Sequence, residues 1–230
     1  MNWVVNNLEL IGQLTLTHLR QSVIALVIGF VISIPLGWVA WRYRLVRSGV
    51  ITITGLLYTV PSLALLILLP SVTGWYSFIS ETNLIVALTI YAIAILVRSV
   101  ADGLDSVDPA VRQASTAIGY GSFRRFWAVD LPLAGPVILA GLRVTAASTI
   151  SLATVGILVG ITNLGYLFTN GLQRRIIPEV LAGVVAVVLL AVLVDLVLLL
   201  AGRAILPWTR RIPTARRPRR TTSRPVGAAA

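Results

Sequence analysis

The chain has 230 residues, 57% of them hydrophobic and only 12% charged, with a mean hydropathy of +0.91. That balance excludes an ordinary soluble domain, which carries about twice the charge. Nineteen basic residues face eight acidic ones, there is no Cys, and His18 is the single histidine, which excludes a disulfide framework, a thiolate metal centre and a multi-histidine zinc site.

Residues 1–19 open the chain with Leu8, Ile11, Leu14 and Leu16 among polar neighbours, a pattern expected of an interfacial amphipathic segment. No basic residue precedes Arg20 and no small-residue cleavage site follows, so this start does not read as a cleavable signal peptide. Five apolar stretches then follow at 20–41, 50–69, 83–100, 133–159 and 180–201. About 20 residues cross a hydrocarbon core of ~30 Å, so each qualifies as a transmembrane helix. The third carries Arg98 near its end, where a long side chain reaches the interface. Pro35 and Pro61 are expected to kink the first two helices.

The arginines, rather than marking a nucleic-acid site, gather at the ends of these stretches. With the N-terminus outside, fifteen lie inside, at 42–47, 98–125 and 203–224, against Arg20, Arg174 and Arg175 outside and Arg143 within the fourth stretch. The positive-inside rule therefore predicts a multi-pass protein of the cell membrane with N-terminus out and C-terminus in the cytoplasm. The domain plan is an N-terminal segment 1–19, a membrane domain 20–202 and an Arg-rich tail 203–230. The tail is apolar on no face and reads as disordered and drawn to anionic lipid headgroups, with no nucleic-acid partner.

The cytoplasmic loop 101–132 has helical spacing of its own. Asp108 before Pro109 is a helix start, and Gly119 is a helix stop. Val111, Ala114, Ser115 and Ile118 fall on one small face, suited to close approach by another surface. Ser122 is expected to cap a second short helix with Phe123, Phe126 and Trp127 on one side and Arg124 and Arg125 pointing away, ended by Pro132. Within the spans, Tyr58, Thr59, Pro61 and Ser62 place polar atoms and a kink midway along the second. Thr145, Ser148, Thr149, Ser151 and Thr154 enrich the fourth in hydroxyls. Such residues serve helix packing as well as a polar path, and Tyr58, Pro61, Ser62 and Thr149 are the translocation-path candidates. Arg143 and Asp195 are charges within apolar stretches, near enough to the ends to reach an interface, and receive no assignment.

The stretch "QASTAIGYGSFRRFWAVDLP" resembles the EAA loop of ABC-importer permeases, with Gln113, Ala114 and Ser115 at the E-A-A places, Gly119 at the glycine, Val129 at the isoleucine and Leu131-Pro132 at the end. Gln113 stands for Glu and removes its charge, and Ser115 stands for Ala. "THLRQSVIALVIGFVISIPLGW", "YTVPSLALLILLP", "LPLAGPVILAGLR" and "NLGYLFTNGL" extend the likeness over roughly residues 10–202, toward permeases that import glycine betaine, carnitine, choline and proline betaine. The resemblance implies an all-α, polytopic type I permease fold of about five transmembrane helices. It also implies partners: an ATP-binding cassette ATPase dimer, a second permease (an identical copy or a paralogue), and an extracytoplasmic substrate-binding protein. Gln113, Ala114, Ser115, Gly119, Leu131 and Pro132 would be the residues coupling it to the ATPase.

The chain has no Lys and no G-x-x-x-x-G-K-[ST] loop, so it is not expected to hydrolyse ATP itself. The resemblance implies that the partner ATPase binds ATP and Mg and that this subunit carries no cofactor, metal or catalytic residue. The alternatives are an ABC-importer permease for another small solute such as an amino acid, or an ATP-independent secondary transporter. An odd number of spans argues against the inverted-repeat plan of many of the latter.

Overall fold

The computed structural model describes residues 2–74, 77 and 79–208, all helix and connecting turns. A short helix α1 (Asn2–Asn6) precedes α2 (Leu8–Arg42), which runs unbroken through residue 20, where the sequence places a boundary between interfacial segment and first span. Pro35 lies inside α2 without ending it. The second apolar stretch is α3 (Arg44–Thr59) and α4 (Ser62–Thr73), bent by 106° at the intervening pair Val60-Pro61. The cause is local: proline drives the residue before it out of the helical region, and Val60 is extended at φ −64°, ψ 128°.

Next come α5 (Glu81–Asp105), α6 (Pro109–Ala117) and α7 (Ser122–Arg125), then a wide π turn (Phe126–Asp130) leading into α8 (Leu131–Ala153) and a 3₁₀ turn (Thr154–Val159). The chain closes with α9 (Gly165–Gln173) and α10 (Ile177–Ile205). Among the described residues four helical segments are long and apolar enough to cross a membrane, and the bent pair α3–α4 makes a fifth when taken as one span. Arg98 is the exposed residue in a buried run of α5. The helix α10 continues into the expected tail as far as Ile205, and Leu206 is buried after it. The tail from 209 onward lies outside the described residues.

The central helix is α5, with α2, α3, α4 and α8 packed around it. Leu96, Val97, Val100, Ala101 and Leu104 along it are fully enclosed. Lipid tails are as apolar as these side chains, so close van der Waals packing holds the helices together rather than escape from water. Glycine notches supply that closeness. A Cβ at Gly29 would sit 2.7 Å from the Cβ of Ala92, and one at Gly37 would sit 2.6 Å from that of Val100, so α2 lies against α5 along two successive turns. By contrast, α10 turns Leu181, Val185, Leu189, Val192 and Leu196 outward, as a lipid-facing or partner-facing helix must.

Candidate functional site

The helix α6 is capped as its sequence requires. The Asp108 carboxylate accepts the Ala110 N–H at 2.8 Å, and Pro109 stands at the first helical position, where no N–H is needed. At the other end Gly119 takes φ +92°, a conformation costly for any residue with a Cβ. Its N–H bonds to the carbonyl of Thr116 while that of Tyr120 bonds to Ser115, both at 3.0 Å, which closes the helix. The result is a stiff rod of nine residues held across the end of the bundle.

The exposed surface of α6 keeps Val111, Ala114 and Ile118 of the expected face and loses Ser115. Ser115 is buried at 6% and its hydroxyl donates to the Arg112 carbonyl at 2.8 Å, so it turns toward the bundle. Ala110, Ala114 and Ala117 are exposed on the outer side, flanked by Gln113 and Thr116. The outermost surface is therefore an alanine ridge, with Val111 and Ile118 exposed at its side and Ser115 alone of the expected face turned inward. Within it Gln113 and Ala114 remain accessible, and a shallow depression of about 440 Å³ runs beside them, lined by Arg112, Gln113, Thr116, Ala117 and Arg125.

Three other expectations for this loop are corrected. Gly121, not Ser122, occupies the cap position of α7, and Ser122 is its first residue. Pro132 does not end the element: the π turn shifts the register so that the Leu131 N–H bonds to the Phe126 carbonyl, and the helix passes through the proline, whose missing N–H falls at the start of α8. Nor does Arg125 point away. Its Nε donates to Asp130 Oδ2 at 3.3 Å and another of its nitrogens to Thr116 Oγ1 at 3.1 Å.

Asp130 is the residue that sequence reasoning missed. It is 1% exposed, and Arg112 Nε donates to its other carboxylate oxygen at 3.0 Å. Arg112 also donates to the carbonyl of Leu104 on α5, and its guanidinium lies over the Trp41 ring of α2 at 4.6 Å. The signal was present: Asp130 is the lone acid between Asp108 and Glu179, set in the apolar run "WAVDLP" just after two arginines. Leu131 packs into the cluster formed by Val100, Leu104, Phe126, Ala134 and Ile138, and Pro132 lines an apolar cavity beside it, so both anchor α8 rather than face outward. Phe123, Phe126 and Trp127 do share one side and, with Val31, Ile34 and Pro35 of α2, line a cavity of about 610 Å³.

The path candidates divide. Tyr58 is half-exposed and meets Tyr91 edge-on with ring centroids 6.1 Å apart. Pro61 and Ser62 form the bend itself, with Pro61 exposed and Ser62 partly so. Thr149 is enclosed in α8 at 2% exposure and shares no open surface with them. At the end of the bundle opposite α6, Asn163 donates to Gln21 at 3.2 Å and to the Ala153 carbonyl at 2.7 Å and accepts the Gly165 N–H at 2.8 Å, which pins the turn before α9. Near it, buried His18 bonds to the Ile150 carbonyl at 2.9 Å. Arg143 and Asp195, unassigned from sequence, pair with each other between α8 and α10 through two 2.6 Å hydrogen bonds. Among the described residues no three His, Cys, Asp or Glu side chains group to hold a metal.

Among the described residues, four spans, or five with the bent pair α3–α4, joined by the capped helix α6 define a polytopic membrane protein. Residues 25–211 match the family of binding-protein-dependent transport system inner membrane components, and the chain belongs to that family. It is the multi-pass inner-membrane permease of an ABC importer, working with a binding protein and with ATP hydrolysis assigned to a separate subunit.

Its relatives include the osmoprotectant import permease protein OsmW of Salmonella typhimurium, 29% identical over 85% of this chain and 91% of that one. Another is the glycine betaine/carnitine/choline transport system permease protein OpuCD of Bacillus subtilis, 31% identical over 84% of this chain and 83% of that one. In fold it is similar to an inward-facing structure of the MetNI methionine ABC transporter, with a TM-score of 0.78, 21% identity, and coverage of 87% of this chain and 98% of that one.

Proposed function

We propose that this permease imports quaternary ammonium osmoprotectants of the glycine betaine, choline, carnitine and proline betaine type. The observation that carries the reading is the likeness to OsmW and OpuCD, which spans more than four-fifths of this chain and whose named substrates are of that class. A quaternary ammonium has no N–H to donate, so tight recognition needs several aromatic faces converging on the cation. Among the described residues, the aromatic pair at the α3–α4 bend is Tyr58 with Tyr91, too little for such a cage. Tight capture therefore belongs to the binding protein, and this subunit offers a weak, mildly polar passage from which substrate leaves readily.

The orientation in this reading has the N-terminus outside and both the C-terminus and α6 in the cytoplasm, as the arginine distribution favours. Two permeases, identical or paralogous, form the pore above an ATPase dimer, and the outer alanine ridge of α6 with Gln113 and Ala114 docks on the ATPase. Closure of the ATPases then rocks the spans between outward- and inward-open states.

Uptake of labelled glycine betaine, choline and carnitine in cells lacking the subunit, and in cells with it restored, tests the substrate class. Restored uptake that requires both the ATPase and the binding protein supports it. Uptake of an amino acid or another solute, with none of these, overturns the substrate class and leaves the importer.

A further inference from the structure

We propose that Asp130, held by Arg112 and Arg125, is the joint through which movement of α6 is transmitted into the membrane spans, a role that rests on the docking of α6 described above. The outer face of α6 is free, so its grip on the body of the subunit lies on the inner face, where Ser115 is buried and Arg112 reaches inward. The Arg112 guanidinium meets three spans at once: Asp130 at the entry to α8, the Leu104 carbonyl in the last turn of α5, and the Trp41 ring in the last turn of α2. Arg125 adds a second cation on the same carboxylate and ties it back to Thr116 of α6.

Burial makes this joint stiff. A carboxylate 1% exposed cannot exchange its two guanidinium partners for water without leaving an uncompensated charge in a low-dielectric setting. Pulling α6 away from α8 is therefore much costlier than moving the two together. The π turn ending at Asp130 contributes by setting the carboxylate at the place where the loop becomes the span. Hinges are built from residues that let go; these residues hold.

The test uses the assembled complex of permease, ATPase and binding protein in liposomes. The chain has no cysteine, so spin labels at Ile118→Cys at the end of α6, beside the docking ridge rather than on it, and Val144→Cys on α8, both exposed positions, report their separation directly. One narrow distance, the same in nucleotide-free and vanadate-trapped complexes, is expected with the joint intact. Asp130→Asn should broaden it and lower labelled glycine betaine delivered per ATP hydrolysed about tenfold, while the ATPase stays bound. If Asp130→Asn does not assemble, Arg125→Gln should give a smaller loss of the same kind, with Arg125→Lys restoring the narrow distance. An unchanged distance distribution in Asp130→Asn, or in Arg125→Gln where that is the variant that assembles, overturns the proposal. Failure of the docking reading is seen separately, as normal ATPase binding and stimulation when Ala114→Trp blocks the outer ridge.

Discussion

The Tyr91 hydroxyl on α5 donates a 2.5 Å hydrogen bond to the carbonyl of Val60, the residue at which α3 ends and the chain turns toward α4. Pro61 follows, and the broken helix leaves that carbonyl without its usual intrahelical donor. The pair thus fixes the bend of the second span against the central helix. Tyr91→Phe should cost about 1 kcal/mol and lower the midpoint of thermal unfolding in detergent by about 2–4 °C. An unchanged midpoint would mean that the bend is set by proline geometry alone.

Arg143 and Asp195 stand in apolar helices and neutralise each other through paired hydrogen bonds. Asp195→Leu alone should reduce the amount of permease in the membrane, because it strands a guanidinium in the span. The double variant Arg143→Leu with Asp195→Leu should recover both level and uptake. Quantitative blotting of membrane fractions reads the first effect, and a double variant that inserts well yet fails to transport would assign the charges to the path instead.

Asn163 makes three buried hydrogen bonds that join α2, the end of α8 and the start of α9. Asn163→Ala should destabilise the detergent-solubilised protein by about 2–3 kcal/mol, since the Ala153 carbonyl and the Gly165 N–H lose their partners without water to replace them. A thermal shift assay with the unaltered chain alongside is sufficient. Retention of the wild-type midpoint would show that these groups find other partners.

The α6 surface makes a fourth prediction. Gly119→Val should strain the left-handed stop by about 1–3 kcal/mol, and Ala114→Trp should spoil the outer ridge. Each is expected to weaken copurification of the ATPase while the protein still inserts. Ser115→Trp is not an equivalent probe, because Ser115 is turned inward and its replacement disturbs packing. Normal ATPase recovery with both Gly119→Val and Ala114→Trp would remove α6 from the docking surface.

Orientation is open to direct labelling on the cysteine-free background. Gln173→Cys, exposed at the end of the bundle away from α6, should react with a membrane-impermeant maleimide in intact cells. Ser48→Cys, exposed at the α6 end, should react only after permeabilisation.

The sequence by itself determined the spans, because a hydrocarbon solvent demands long apolar helices and leaves little else possible. It also determined both ends of α6, since Asp108-Pro109 and Gly119 act through backbone geometry within a few residues. The inward turn of Ser115, against the exposure of Val111, Ala114 and Ile118 around it, was decided by tertiary structure alone. Periodicity groups residues on a common side but does not say which side meets the bundle, and Arg112 reaching to three spans rotates Ser115 inward. The pairing of Arg143 with Asp195 and the burial of Asp130 were likewise beyond the sequence. Each joins groups brought together only when separate helices pack, and a charge in an apolar run reveals that it needs a partner without naming which one.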